Sequence, residues 1–92
     1  MRPKKGTWKP HPAAVRMRAL RLKAELTQEQ MAAMIHAHEA NFGQVALCQL
    51  ESGEIYRPTI MVGQRIEKVT KQLVRELKSR LRPVELKDWT KP

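Results

Sequence analysis

The residues of this 92-residue chain that could hold a metal ion or act as a nucleophile are few and poorly spaced. His36 and His38 are two positions apart, so on a helix their side chains would diverge by about 200°, and neither belongs to an HExxH motif. Cys48 has no base beside it in the sequence, and as the single cysteine it allows neither an internal disulfide nor a zinc finger. We therefore expect no metal site, no cofactor and no enzyme activity.

The strongest chemical feature of the chain is its positive charge. Eighteen Lys and Arg residues against nine Asp and Glu give a formal net charge of +9 at pH 7. The balance is +7 over residues 1–27, −3 over residues 28–58 and +5 over residues 59–92. A basic surface attracts polyanions through the release of counterions, and nucleic acid is the usual partner.

Composition favours one small folded domain. Hydrophobic residues make up 41% of the chain and aromatic residues only 4% of it, so we expect an aliphatic core. No apolar run approaches the roughly 18 residues of a membrane span, and no signal-peptide core follows the basic N-terminus. The sequence therefore predicts a cytoplasmic protein without a membrane partner.

The first twelve residues and those that follow differ in helix-forming pattern. Residues 1–12 contain three prolines and a glycine, which predicts an extended basic arm that includes Lys4 and Lys5. Such an arm either contacts DNA or is a disordered tail that adds non-specific affinity. A helix is predicted from residue 13 to near residue 25. Four apolar residues at steps of four, three and four are predicted to form its buried face: Val15, Ala19, Leu22 and Leu26.

Two shorter helices follow. Thr27 and Gln30 have the spacing of a capping box, which predicts the start of a second helix. A turn is predicted over residues 38–43, and a third helix over residues 44–52, with Leu47 and Leu50 inward and Gly53 as its C-terminal stop. With no alternating run of β-branched residues, the predicted fold is all-α with four to five helices.

A longer C-terminal helix is predicted to begin after Thr59 and to reach Leu81, because Pro83 stops it near residue 82. Its apolar stripe runs past the point where a small core should be complete, and such a stripe usually finds a partner, most simply a second copy. The alternative is that the stripe packs back onto the first helix. The residues predicted to form a homodimer are Ile66, Val69, Leu73, Leu77 and Leu81. The domain would then span residues 13–82, with a tail at 83–92.

Three segments together resemble the lambda-repressor/Cro-like (XRE-type) helix-turn-helix family. Residues 26–32 (LTQEQMA) are similar to the start of its second helix, residues 44–53 (QVALCQLESG) to its recognition helix, and residues 57–59 (RPT) to the loop that follows. The resemblance covers residues 14–70. The turn between these helices is longer than in most members and resembles that of the POU-specific domain, and Glu25 stands where the family often has Gly.

The resemblance implies a helix that enters the major groove of double-stranded DNA while the preceding helix crosses the backbone. It places Gln44, Val45 and Gln49 on the side that faces the bases. A Gln side chain pairs with adenine through two hydrogen bonds, and Val contacts a thymine methyl group, so the residue types agree with this placement.

The same resemblance implies roles for residues outside the base-reading positions. Gln28 corresponds to a phosphate-contacting glutamine at a helix N-terminus, where free amides favour an anion. Arg57, in the loop after the recognition helix, would contact the DNA backbone. Lys4 and Lys5 are predicted to do so as residues of the basic arm, outside the resemblance. Arg21 and Glu51 correspond to a partly buried structural ion pair.

These observations favour a sequence-specific transcriptional regulator, a homodimeric repressor of a phage, plasmid or mobile-element operon that reads a palindromic operator. Two alternatives remain open. One is an antitoxin that binds a toxin protein and represses its own operon, and the other is an architectural protein that binds DNA without sequence preference.

Overall fold

Four α-helices account for most of residues 8–36 and 41–90, the parts of the chain that the computed structural model describes. They are α1 (Pro12–Lys23), α2 (Gln28–Ile35), α3 (Gln44–Ser52) and α4 (Ile60–Leu77), and a 3-10 helix follows (Leu86–Thr90). Within these ranges the domain is compact and all-α, with no β-strand. No helix in this part of the chain is both long and apolar enough to cross a membrane.

Side-chain caps set where α1, α2 and α4 begin. Thr27 Oγ1 accepts from the Gln30 amide at 3.1 Å and Gln30 Oε1 accepts from the Thr27 amide at 2.9 Å, which confirms the predicted capping box of α2. Thr59 caps α4 by accepting from the amide of Val62 at 3.3 Å. At α1 the cap is His11, whose Nδ1 accepts from the Ala13 amide at 3.0 Å. His11 is buried, so this residue of the predicted arm is part of the packed structure.

Three helices end in a left-handed residue, and only one of these residues is glycine. Gly53, with φ of 91°, follows α3 as predicted. Glu25 (φ of 58°) follows α1, and there the amide of Leu26 donates to the Arg21 carbonyl at 3.1 Å. Lys78 (φ of 49°) ends α4 in the same way. A side chain in this conformation costs about 1 kcal/mol, which glycine avoids.

The predicted buried face of α1 is wrong. Val15 and Leu22 are 53% and 54% exposed, and the helix instead buries Ala13, Ala14, Met17, Leu20 and Arg21. Both stripes have helical spacing, but the buried one consists of two alanines, a methionine, a leucine and an arginine. Arg21 can be buried because it is paired, as described below.

The core lies where α1, α2 and α3 meet the inner face of α4, and its residues are almost all aliphatic. They are Ala13, Ala14, Met17, Met31, Ala32, Ile35, Phe42, Leu47, Leu50, Val62, Ile66, Val69, Leu73, Val84 and Trp89.

Most of the stripe of α4 is therefore covered within the chain itself, and homodimer formation through these residues stays a prediction. Ile66, Val69 and Leu73 are buried in the core, and Leu77 is partly buried against it. The helix ends at Leu77, so the partly buried Leu81 lies beyond it. In the structure α4 packs against α1, which was the alternative expectation, and against the C-terminal segment.

Part of the segment predicted as a tail packs against α4. Val84 and Trp89 are buried. The Val84 amide donates to Thr70 Oγ1 at 2.9 Å, and Thr70 is itself fully buried in α4. A second hydrogen bond joins the same two segments: the Leu86 amide donates to Glu67 Oε1 at 2.9 Å. This bond favours the charged carboxylate and lowers the pKa of Glu67 below its ordinary value of 4.5.

Candidate nucleic-acid interface

The outward face of α3 is uncovered within the described chain. Gln44, Val45, Cys48 and Gln49 occupy positions that share one side of a helix. Gln44 and Cys48 are exposed, Gln49 is half-buried, and Val45 is 72% exposed. The structure thus brings together the three residues predicted to contact bases.

This face forms the wall of a shallow depression of about 280 Å³. Its lining comes from the first turn of α2, from α3 and from the residue after Gly53: Gln28, Gln44, Val45, Cys48, Gln49 and Glu54. Three of these six residues are glutamines, whose amides both donate and accept hydrogen bonds. The depression therefore offers the kind of hydrogen-bonding groups that can distinguish base edges.

The opposite face of α3 holds the helix in place. Leu47 and Leu50 are buried in the core, and Glu51, one position further, is buried as well. Arg21 of α1 donates to Glu51 through two parallel hydrogen bonds, Nε to Oε2 at 2.8 Å and Nη2 to Oε1 at 2.9 Å. This is the ion pair that the resemblance implies. The two-bond geometry fixes the rotation of α3 about its axis relative to α1.

The charge of Glu51 is balanced by more than one partner. Arg18 Nε lies 3.8 Å from Glu51 Oε1, with its side chain 60% exposed, and Gln28 Nε2 donates to the same oxygen at 3.1 Å. Arg21 also donates to the Leu26 carbonyl at 2.9 Å, which ties the connection between α1 and α2 to the same cluster. The acidic residue of α3 is consequently directed away from the outward face.

Gln28 makes a contact within the chain that the sequence did not indicate, and its predicted phosphate contact stays a prediction. Its side-chain amide is bonded to Glu51 in the structure, and through this bond Gln28 joins the start of α2 to α3. Gln28 also lines the depression beside Gln44. Its position at the first residue of α2 leaves its backbone amide at the helix N-terminus, where phosphate binding is favourable.

Arg57 also has a structural contact that the sequence did not indicate. Its Nε donates to the carbonyl of Trp89, and its guanidinium lies 5.0 Å from the centre of the Tyr56 ring. Arg57 therefore links the loop after α3 to the C-terminal segment. The predicted contacts Lys4 and Lys5 lie outside the described residues.

Two charged residues were not predicted from the sequence: Arg18, which lies beside Glu51, and Glu54, which lines the depression. Arg18 could have been found, because it lies three positions before Arg21 and so shares its side of α1. Glu54 adds an acidic residue to the lining of the depression, and no spacing rule indicated it because it follows the glycine that ends α3.

Among residues 8–36 and 41–90, no three His, Cys, Asp or Glu side chains come close enough together to hold a metal ion. No protein-family model, curated protein or solved structure gives a significant match to this chain.

Proposed function

We propose that the protein binds double-stranded DNA sequence-specifically, with α3 in the major groove, and regulates transcription as a repressor. One observation carries the proposal: α3 presents an uncharged, amide-rich outward face while a buried ion pair turns its acidic residue inward. The helix is thereby held by its inner face and free to contact a ligand with its outer face.

The residue chemistry of the outward face suits base recognition. Gln44 lies at the first residue of α3 and Gln49 in its second turn, and each amide matches the N6 and N7 groups of adenine. Val45, the most exposed residue of the face, suits contact with a thymine methyl group. We therefore propose A·T pairs at the positions that these residues read.

The distribution of charge supports the same proposal. The segment from residue 28 to 58 has a balance of −3, whereas the flanking segments are strongly positive. A protein that binds DNA by charge alone would place basic residues on the contacting helix. Here the flanks would hold the phosphates, and α3 would select the sequence.

We also propose that the chain is a member of the lambda-repressor/Cro-like helix-turn-helix family. The capping box, the inward glutamate paired with Arg21, and Gly53 lie in the segments that resemble the lambda-repressor/Cro-like helix-turn-helix proteins. A repressor of this kind acts by occupying an operator that overlaps a promoter. A dimer through α4 is not included, because Ile66, Val69 and Leu73 are buried in the core and Leu77 and Leu81 are partly buried.

Selection of duplexes from a random pool, with competitor DNA and about 150 mM salt, tests the proposal. Wild-type protein should enrich a defined motif rich in A·T pairs, and Gln44→Ala/Gln49→Ala should lose it. Two-fold symmetry of the motif would show that two copies bind together.

The matched control is Gln64→Ala/Gln72→Ala, which removes two glutamines from the exposed side of α4 without changing the net charge. This variant should enrich the wild-type motif. If wild type enriches nothing and its affinity simply falls as salt rises, charge alone binds DNA and the proposal is overturned.

A further inference from the structure

We infer that a cleft between α3 and the first turn of α4 binds a small carboxylic acid that carries one apolar ring. The cleft has a volume of about 190 Å³ and opens to solvent on one side. It lies on the flank of α3, since Ala46 and Leu50 line it, and not on the outward face of that helix. Binding of a small molecule in the absence of DNA goes beyond the proposed function.

The floor of the cleft is apolar. Phe42, Leu50 and Val62 line it and are buried in the core. Ala46, one helical turn before Leu50, lines it from the same side of α3 and is half-buried. Water finds few hydrogen-bonding partners on such walls, so an apolar group that displaces it is favoured.

The volume of the cleft sets the size of that apolar group. A cavity of about 150 Å³ with aliphatic and aromatic walls holds one benzene molecule. The cleft is slightly larger, so it can take one six-membered ring and leave room for a short polar substituent at its open side. A drug-sized ligand needs at least about 300 Å³ and does not fit.

The open side of the cleft is polar and carries one cation. Asn41, Arg57 and Thr59 are the exposed polar residues of the lining, and Arg57 is its single charged residue. Arg57 Nε donates to the Trp89 carbonyl, and the guanidinium lies 5.0 Å from the centre of the Tyr56 ring. These two contacts hold the guanidinium in place. Within the described residues its two terminal nitrogens have no acceptor, so they are available to a ligand.

A guanidinium held in this way favours a carboxylate. Two N–H groups of an arginine match the two oxygens of a carboxylate through parallel hydrogen bonds. The net charge of +9 attracts anions in general, but an inorganic anion would leave the apolar floor unfilled. A ring that bears a carboxylate satisfies both the floor and the open side.

Two other depressions each lack one half of this combination. The depression on the outward face of α3 has no cation in its lining, where Glu54 is the single charged residue. The depression on the exposed side of α4 has cations but no apolar side chain, because its lining consists of Lys68, Lys71, Gln72, Arg75 and Glu76. The α4 depression therefore supplies the comparison surface for a test.

Titration of ¹⁵N-labelled protein with sodium benzoate, without DNA, tests the inference through the backbone amide shifts. The ionic strength is held at about 0.15 M throughout, so that screening of the basic surface stays constant. Benzoate should shift the amides of Ala46, Ile55 and Val62 more than those of Lys68 and Lys71. Benzamide keeps the ring without the charge, and acetate keeps the charge without the ring. Each should bind at least about tenfold more weakly than benzoate.

Filling the cleft should remove the site. Ala46→Leu places a larger side chain in the lining and should weaken benzoate binding by about tenfold or more. Both residues favour a helix, so the variant should fold. The control is Ala19→Leu, the same change at a half-buried position of α1 outside the lining. It should bind benzoate as the wild type does, and thermal unfolding followed by circular dichroism should show both variants folded.

Removing the cation should remove the preference for the charged ligand. Arg57→Gln should bind benzoate and benzamide with equal affinity, whereas Arg80→Gln, which changes an exposed arginine outside the lining, should keep the preference for benzoate.

Three results would overturn the inference. One is a wild type in which benzoate shifts no amide of the cleft, or shifts the same amides as acetate with the same affinity, which would mean general attraction of anions only. The second is undiminished benzoate binding in Ala46→Leu, and the third is an unchanged preference for benzoate in Arg57→Gln. Because no DNA is present, failure here is separate from failure of the proposed function.

Discussion

Helices α3 and α4 are both amphipathic, but they differ in what covers them. The inner side of α3 is held by Leu47, Leu50 and the paired Glu51, and its outer side is left open over a depression in which Glu54 is the single charged lining residue. The longer stripe of α4 is almost entirely covered by the chain itself.

The difference shows that the length of an apolar stripe does not identify an interface. The stripe of α4 is long because it has two sets of partners, the helices of the core and the C-terminal segment with Val84 and Trp89. The outward side of α3 would not be noticed as a stripe at all. It is distinguished by the glutamine amides of its outward face beside a buried, paired carboxylate.

Removing the buried carboxylate of α3 should have the largest effect on stability. Glu51→Ala leaves Arg21 buried without its partner and should lower the free energy of unfolding by about 3–5 kcal/mol, as measured by urea denaturation. Lys71→Ala breaks the exposed Lys71–Glu67 pair and should cost less than about 1 kcal/mol. Equal losses in the two variants would show that Glu51 does not hold α3.

Truncating the stripe of α4 should destabilise the monomer. Leu73→Ala removes a buried side chain and should cost about 3 kcal/mol through lost burial and the cavity left behind. The loss should be the same at low and high protein concentration, because the contacts lie within one chain. If the unfolding midpoint rises with protein concentration in the wild type but not in Leu73→Ala, Leu73 instead lies in an interface between copies.

The smallest predicted effect is a gain at the end of α1. Glu25→Gly should raise the free energy of unfolding by about 1 kcal/mol, because glycine adopts the left-handed conformation of Glu25 without strain. Gly53→Ala should do the opposite, since its added Cβ would lie 2.5 Å from the carbonyl carbon of Lys9. Thermal unfolding of both variants checks the two signs, and a loss in Glu25→Gly would contradict the assignment.

The features predicted well from the sequence are local. The capping box at Thr27 and Gln30, the cap at Thr59 and the stop at Gly53 each depend on residues within a few positions of one another. The inward orientation of Leu47 and Leu50 follows from helical spacing. Much of the candidate site was also accessible, because Gln44, Val45 and Gln49 share one side of a short, well-bounded helix.

The features that were missed depend on contacts between distant parts of the chain. Val15 and Leu22 looked like the inner face of α1, but Met17 and the paired Arg21 are buried instead. The end of α4 was placed too late because Lys78 takes the left-handed conformation without being glycine. The return of the C-terminal segment depends on the Thr70 hydroxyl, which accepts from an amide fourteen positions away, and no spacing rule indicates such a bond.

The measurement that tests the central claim most directly is a titration of ¹⁵N-labelled protein with duplex DNA, followed through the side-chain amides of its glutamines. Gln44 and Gln49 of α3 should shift strongly, whereas Gln64 and Gln72 on the exposed side of α4 should remain close to their free positions. Stronger shifts at Gln64 and Gln72, or small uniform shifts at all four, would contradict the claim that α3 is the helix that reads DNA.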